Sequence, residues 1–235
     1  MFSLNHFIWI GISAVFIAVM LFVGKKKGFS LKTAGYIMSG ICVLSEVSKI
    51  MSDMIESDAG GRCLDPRSLP FHLCSMMLFG VLFVTFGKDG KLKDGVIDFL
   101  AVMGTLGSFM AILIPTNGTD FSSILSYQCF VYHAGLLWFS LYLIVSKKAD
   151  LGLRSYIRNV AVLLTLVLIM LYVNSILSVY NTNFMYLVRP PMKDLPFLNL
   201  NAGWYVYFMH VLSLGAVLIS LFHLPFILAK KRKRK

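Results

Sequence analysis

Charge is what this sequence has least of. Only 14% of its 235 residues are charged, against about a quarter in soluble globular chains, and hydrophobic residues make up 57%. That balance excludes an ordinary soluble domain. Acidic residues are scarcer than basic ones, 11 against 22, which leaves a formal net charge of +11. Cysteine is sparse at 4 residues, with no Cys-x-x-Cys and no helical His-x-x-x-His pair, so neither a metal nor a cofactor is expected. Internal repeats, low-complexity linkers and a glycine-rich phosphate cradle are also missing.

Long apolar runs stand in their place. A bilayer core about 30 Å thick needs roughly 20 apolar residues of helix, somewhat fewer at a cost in mismatch. Seven stretches approach that length: residues 7–23, 31–50, 69–86, 96–114, 129–145, 160–179 and 204–222. None alternates polar and apolar residues as an outer-membrane strand does, so helices are the expected spans. The expected fold class is all-α, a polytopic bundle of seven transmembrane helices, with one domain over residues 1–229 and a basic tail over 230–235. The first run is read as a retained helix, because Lys25, Lys26 and Lys27 follow it where a signal peptide would carry its charges in front.

Basic residues orient the bundle, since cytoplasmic loops carry the excess of lysine and arginine. Lys25–27 with Lys32, then Lys88, Lys91 and Lys93, then Lys147, Lys148, Arg154 and Arg158, and finally the tail all fall on one side when the N-terminus is outside and the C-terminus cytoplasmic. This places the protein in a membrane as a multi-pass chain, the cell membrane if bacterial. Nothing interleaves the basic tail with aromatics, so its expected partner is anionic membrane lipid and not nucleic acid. The longest connection, residues 51–68, reads as an outer loop with turns at Gly60, Gly61 and Pro66. Asn117-Gly118 reads as a turn. Cys63 and Cys129 both fall on the outer side, where an oxidising compartment would let them pair.

Depth makes the polar residues informative. His72 and Cys74 enter the third run from outside, His133 the fifth and His210 the seventh; Glu46 nears the outer end of the second, and Asn174, Tyr180, Asn181 and Asn183 that of the sixth. Ionisable groups in membrane helices are costly and usually face the bundle interior, where they mark function. The inner halves are nearly bare, with Asp98 the clear carboxylate, and replacing His223 at the cytoplasmic end of the last helix is expected to do almost nothing to acyl transfer. In "LPFHLCSMMLF", Pro70 suits a first helical turn, and a cysteine close to a helix N-terminus beside an imidazole has what a nucleophile needs. His72 and Cys74 lie about 200° apart on an ideal helix, so the base is expected from another helix: His133 first, His210 second. Cys42 reads as a small hydrophobe.

With "CFVYHAGLLW" and "VNSILSVYNTNFMYLVRPP", the same segment resembles the YwaF-like family of bacterial integral membrane proteins. That family is similar to eukaryotic multispanning acyltransferases that act on phospholipids, ether lipids included, with a cysteine as acyl carrier. The resemblance implies that Cys74, His72 and His133 match its cysteine and two histidines. Phe71 stands where an aliphatic residue is common, and Ser75 where an acid often follows the cysteine. The resulting expectation is a lipid acyltransferase or acyl hydrolase acting on a phospholipid or lysophospholipid, with Cys74, His133 and His72 catalytic and His210, Glu46, Asn174, Tyr180, Asn183 and Arg189 in support. Asn174, Asn183 or a helix-start amide is expected at the oxyanion, and Arg62, Arg67, Arg189 or Lys193 at the lipid phosphate. A transporter or channel for a small solute, and a noncatalytic lipid-binding protein, are the alternative classes.

Overall fold

The computed structural model describes residues 2–56, 61–192 and 197–232, so Lys193 lies outside the described residues. Its helices are α1 (Leu4–Lys27), α2 (Leu31–Ser52), α3 (Leu73–Phe86), α4 (Lys91–Phe99), α5 (Thr105–Leu113), α6 (Ile124–Val145), α7 (Leu153–Ile176) and α8 (Trp204–Arg232). Six stretches are long and apolar enough to cross a membrane: α1, α2, Lys91–Leu113, α6, α7 and α8. The 14 residues of α3 reach only about 21 Å. Its run was expected to be helical from residue 69, yet Pro70 and His72 precede the first turn, and Phe71 N–H turns back to Leu69 O at 2.7 Å.

Local chemistry sets several boundaries. Ser3 and Ser30 accept from the backbone amides of His6 and Thr33 to start α1 and α2, and Gly28 ends α1 at φ 63°, a left-handed conformation that glycine adopts without strain. The fourth run is not one regular helix. A π-helical turn, Leu100–Gly104, is buried throughout, because a side chain at Gly104 would run into Ser140 of α6. Ser140 Oγ donates to Leu100 O at 2.9 Å and Thr105 Oγ1 to Ala101 O at 2.6 Å, supplying hydrogen bonds at the widened turn.

Contacts divide the chain into two compact units, one of Met1–Ser68 with Cys74–Ala149, the other of Leu69–Leu73 with Asp150–Lys235. In the first, successive helices alternate in direction around α6. Trp9 stacks on Phe130 at 4.8 Å and Tyr142 donates to Phe29 O at 2.9 Å, so α1 runs parallel to α6. Gln128 donates to Ser45 at 2.7 Å while Gly135 lies against Met38 and Ile41, so α2 runs antiparallel. Ile112 clusters with Phe130 and Leu137, and Gly104 meets Ser140, so α5 does too. Lys93, expected in a solvated loop, is 5% exposed and is held by Gly87 O at 3.1 Å and Asp89 at 2.9 Å.

The connection expected as a plain loop carries a hairpin, β1 (Met54–Glu56) against β2 (Arg62–Leu64), with Ile55 opposite Cys63 and Glu56 opposite Arg62. Asp65 closes it. Its carboxylate accepts from Arg67 Nε at 2.9 Å and Nη2 at 2.6 Å, and the guanidinium holds that carboxyl below the usual carboxylate range. Gly118 adopts φ 79°, as an Asn-Gly turn requires.

In the second unit α7 and α8 run antiparallel, joined by Tyr156 and Ser220 at 3.0 Å. Helix α8 continues through Pro225 to Arg232, so Lys230 is helical and pairs with Asp150. His223 is tied into the packing at the inner end of α8. It is 0% exposed, with Nδ1 donating to Leu151 O at 3.1 Å and Nε2 facing the Asn159 amide at 3.4 Å.

Candidate functional site

Cys74 occupies the first turn of α3, where backbone amides lack intrahelical partners, and it is partly exposed. Helix α6 braces that turn: Tyr132 OH donates to Cys74 O at 2.5 Å. On the α5 side, Gly107 leaves room beside the sulfur. A β-carbon there would find Cys74 Sγ, 3.5 Å away, as its one neighbour within 4 Å.

His133 follows Tyr132, and the two rings meet edge to face at 5.2 Å. Its Nδ1 lies 2.7 Å from Cys129 O. A carbonyl oxygen can only accept, so Nδ1 carries the proton and the neutral ring presents Nε2 as its basic nitrogen. The acid missing after Cys74 is therefore not needed to fix this tautomer; the carbonyl one helical turn back performs that task. His133 is deeper than its run suggested. Helix α6 starts at Ile124, not at Cys129, because Ser126 and Gln128, which end the apolar run, find partners in Asn117 O and Ser45.

Glu46 joins this end of the first unit, within electrostatic range of Tyr132, and pairs with Lys49 at 2.9 Å. Cys129 is 3% exposed, its Sγ 3.6 Å from His133 Nδ1, and both it and the exposed Cys63 are free thiols. The pairing that the sequence left open is not made in this structure. Arg67, one of the cations expected at a phosphate, is paired with Asp65.

His72 belongs to the second unit, between the rings of Phe184 at 5.6 Å and Tyr186 at 5.1 Å. The segment that holds it is clamped by amides. Asn174 Nδ2 donates to Phe184 O at 3.0 Å while its Oδ1 accepts from Phe184 N–H at 2.8 Å. Asn183 Oδ1 accepts from the amides of Val188 and Arg189, both at 3.1 Å, and its Nδ2 donates to Arg189 O at 2.8 Å. Tyr207 donates to Tyr186 O at 2.5 Å and Trp204 to Leu187 O at 3.0 Å. These bonds hold Met185 and Tyr186 at φ 55° and 54°, a left-handed conformation that bulky residues adopt only when their surroundings impose it. Arg189 donates to Asn181 O at 2.5 Å. Tyr180 and His210 are exposed, His210 with Nδ1 donating to Phe197 O at 2.7 Å. Within the first unit, then, Cys74, His133 and Glu46 lie at one end, and within the second the asparagines, Arg189 and His72 share one clamped segment.

Tyr132, Gly107 and the Cys129 carbonyl escaped the sequence reading. A tyrosine and a glycine in apolar helices look like packing residues, and the single indication available was the four-residue spacing from Cys129 to His133.

A model of the TMEM164 family matches residues 1–223. The chain belongs to the TMEM164 family. With its apolar helices, membership makes it an integral, multi-pass membrane protein, and the matched residues include every member of both groups above. Family membership carries the multispanning architecture, and neither kinship with YwaF-like proteins nor acyl transfer. No curated protein and no solved structure matches the chain.

Proposed function

We propose that this member of the TMEM164 family is a seven-span lipid acyltransferase or transacylase, or an acyl hydrolase, with Cys74 as nucleophile near the extracytoplasmic face. One observation carries the reading: His133 is held as the tautomer with a free Nε2, on the helix whose preceding residue is bonded to the backbone of Cys74. His133 Nε2 takes the thiol proton; Cys74 Sγ forms a bond to the carbonyl carbon of a lipid ester; the ester C–O bond breaks, and His133 returns the proton to the leaving lysolipid oxygen. In the second half His133 Nε2 takes the proton of another lysolipid hydroxyl or of water as that oxygen bonds the acyl carbon, the C–S bond breaks, and the proton returns to the Cys74 sulfur. His72 keeps the catalytic role that the leucine-proline-x-histidine-x-cysteine resemblance implies, and within its own unit Asn174 and Asn183 clamp the segment against which it rests.

With the N-terminus outside, Cys74 lies at the depth of outer-leaflet ester bonds, and the donor is a phospholipid, with no cofactor. Arg62, Arg67, Arg189 or Lys193 is the cation for its phosphate, and the C-terminal basic residues are the partners of anionic lipid. Purified protein in liposomes that contain an acyl-labelled phospholipid and an unlabelled lysolipid should move the label without added CoA and should lose that activity in Cys74→Ala. Strict dependence on acyl-CoA rejects the donor, and full activity of Cys74→Ala rejects the nucleophile.

A further inference from the structure

Ser108 follows the glycine that leaves room beside Cys74, and it is the unusual polar group of the first unit. Its side chain is 0% exposed and its hydroxyl finds no hydrogen-bond partner among the described residues. Other buried serines of this unit bond a hydroxyl or a carbonyl, Ser39 to Thr85 Oγ1 at 3.4 Å and Ser140 to Leu100 O at 2.9 Å. A buried polar group left unsatisfied needs a reason, and a catalytic role is one of the recognised ones.

Its position follows from its helix neighbours. One turn before it, Gly104 abuts Ser140 and Leu136; one turn after it, Ile112 clusters with Phe130 and Leu137. Residues four apart share a helix face, so Ser108 faces α6 at the level between those contacts, which is the level of His133. Gly107, about 100° around the helix, faces Cys74. The pair Gly107-Ser108 therefore sets an open notch at the sulfur beside a buried hydroxyl with no acceptor. Trp138 Nε1 is also buried without a partner, but it lies five residues beyond His133, roughly 7.5 Å farther along α6.

We propose that Ser108 is a catalytic residue whose hydroxyl donates to the oxyanion formed when Cys74 attacks a lipid ester in the notch kept open by Gly107. This rests on the reading of Cys74 as nucleophile. As the C–S bond forms, the carbonyl π pair moves onto oxygen, and the Ser108 O–H donates to that oxygen while keeping its own proton. When the intermediate collapses the pair returns, the ester C–O bond breaks, and the proton taken by His133 goes to the lysolipid oxygen. The asparagine amides expected in this role donate to loop carbonyls instead.

The test separates acylation from thiol reactivity in the full-length protein reconstituted in liposomes. Single-turnover formation of a hydroxylamine-sensitive thioester at Cys74 from a labelled phospholipid is compared with alkylation of Cys74 by N-ethylmaleimide, which makes no ester-derived oxyanion. Ser108→Ala should slow acylation by about 10²–10³-fold, as loss of one oxyanion donor does, and leave the alkylation rate within about twofold of wild type. Ser108→Thr, which keeps the hydroxyl, should recover most of the loss. Because the resting hydroxyl has no partner to lose, the melting temperature of Ser108→Ala should match or exceed that of wild type. Wild-type acylation in Ser108→Ala overturns the assignment and leaves Cys74 standing. Parallel losses of acylation, alkylation and melting temperature show a structural hydroxyl and overturn it too. A wild-type protein with no thioester at Cys74 takes down both readings.

Discussion

Helices α6 and α8 both read from sequence as apolar spans carrying a histidine, yet the protein treats them oppositely. In α6, 67% of the membrane window is buried within the protein; in α8 the share is 11%. Each histidine donates Nδ1 to a backbone carbonyl at 2.7 Å, His133 to Cys129 and His210 to Phe197. The bond is the same and the surroundings are not. His133 sits beside Tyr132 and Cys129, whereas His210 is exposed. What makes a membrane histidine useful is thus the set of helices around it. Helix α6 can carry Ser126, Gln128 and Ser140 because neighbouring segments supply partners for them, while the outward faces of α8 must stay apolar to lie in lipid.

The largest expected difference is between these two imidazoles. His133→Ala should slow acyl transfer by about 10²–10⁴-fold, and His210→Ala by less than about threefold, with single-turnover rates in liposomes as the measurement. Equal losses from both would erase the contrast and point to folding.

Glycine sharpens the same comparison through stability. Gly104 faces Ser140 with no room for a methyl group, while a β-carbon at Gly215 of α8 would meet nothing within 4 Å. Gly104→Ala should cost about 1–3 kcal/mol through overpacking, and Gly215→Ala should be neutral or up to about 1 kcal/mol stabilising through helix propensity. Thermal unfolding in detergent checks both; a destabilised Gly215→Ala would mean that this face of α8 is covered.

The inner half of α8 supplies a smaller contrast within one helix. His223→Ala removes the bonds to Leu151 and Asn159 from a fully buried site and should lower stability by about 1–2 kcal/mol, seen as faster hydrogen exchange at the start of α7. His210→Ala should leave that exchange unchanged.

The smallest effect lies outside the membrane, in the hairpin. Asp65 titrates lower when folded because Arg67 bonds its carboxylate, so its contribution is present in full above the unfolded carboxyl value and is lost as pH falls through the folded one. The guanidinium is largely exposed, which limits the pair to about 0.5–1 kcal/mol. Amide exchange over residues 53–56 and 61–68 should therefore quicken in acid in the wild type, and Asp65→Asn should show the faster rate already at neutral pH. An acid response of equal size in Asp65→Asn would assign the effect to another group.

The membrane class and the helix identities were open to reading because both depend on composition along one dimension: a bilayer demands apolar length, and each of the seven runs is occupied by helix. The alternation of basic segments also agrees with the alternating helix directions of the first unit. Boundaries were harder. Helix α6 extends five residues before the apolar run, and α8 ten residues past it to Arg232, because polar side chains continue a helix wherever partners or water receive them. The π turn was hidden for a related reason, since Leu100–Gly104 is apolar and would suit a regular helix; the approach of Ser140 decides its geometry.

Of the candidate site, the residue types were readable and their partners were not. Cys74, His72 and His133 stand out as reactive groups in greasy surroundings by composition alone. That His133 donates to Cys129, that Tyr132 braces Cys74, that Asn174 and Asn183 clamp a strained segment, and that Ser108 is left without an acceptor are decided by which helix faces meet. A sequence specifies the chemistry that each position carries. The direction of each hydrogen bond depends on atoms brought within about 3 Å from distant parts of the chain, and only the packed tertiary structure fixes those distances.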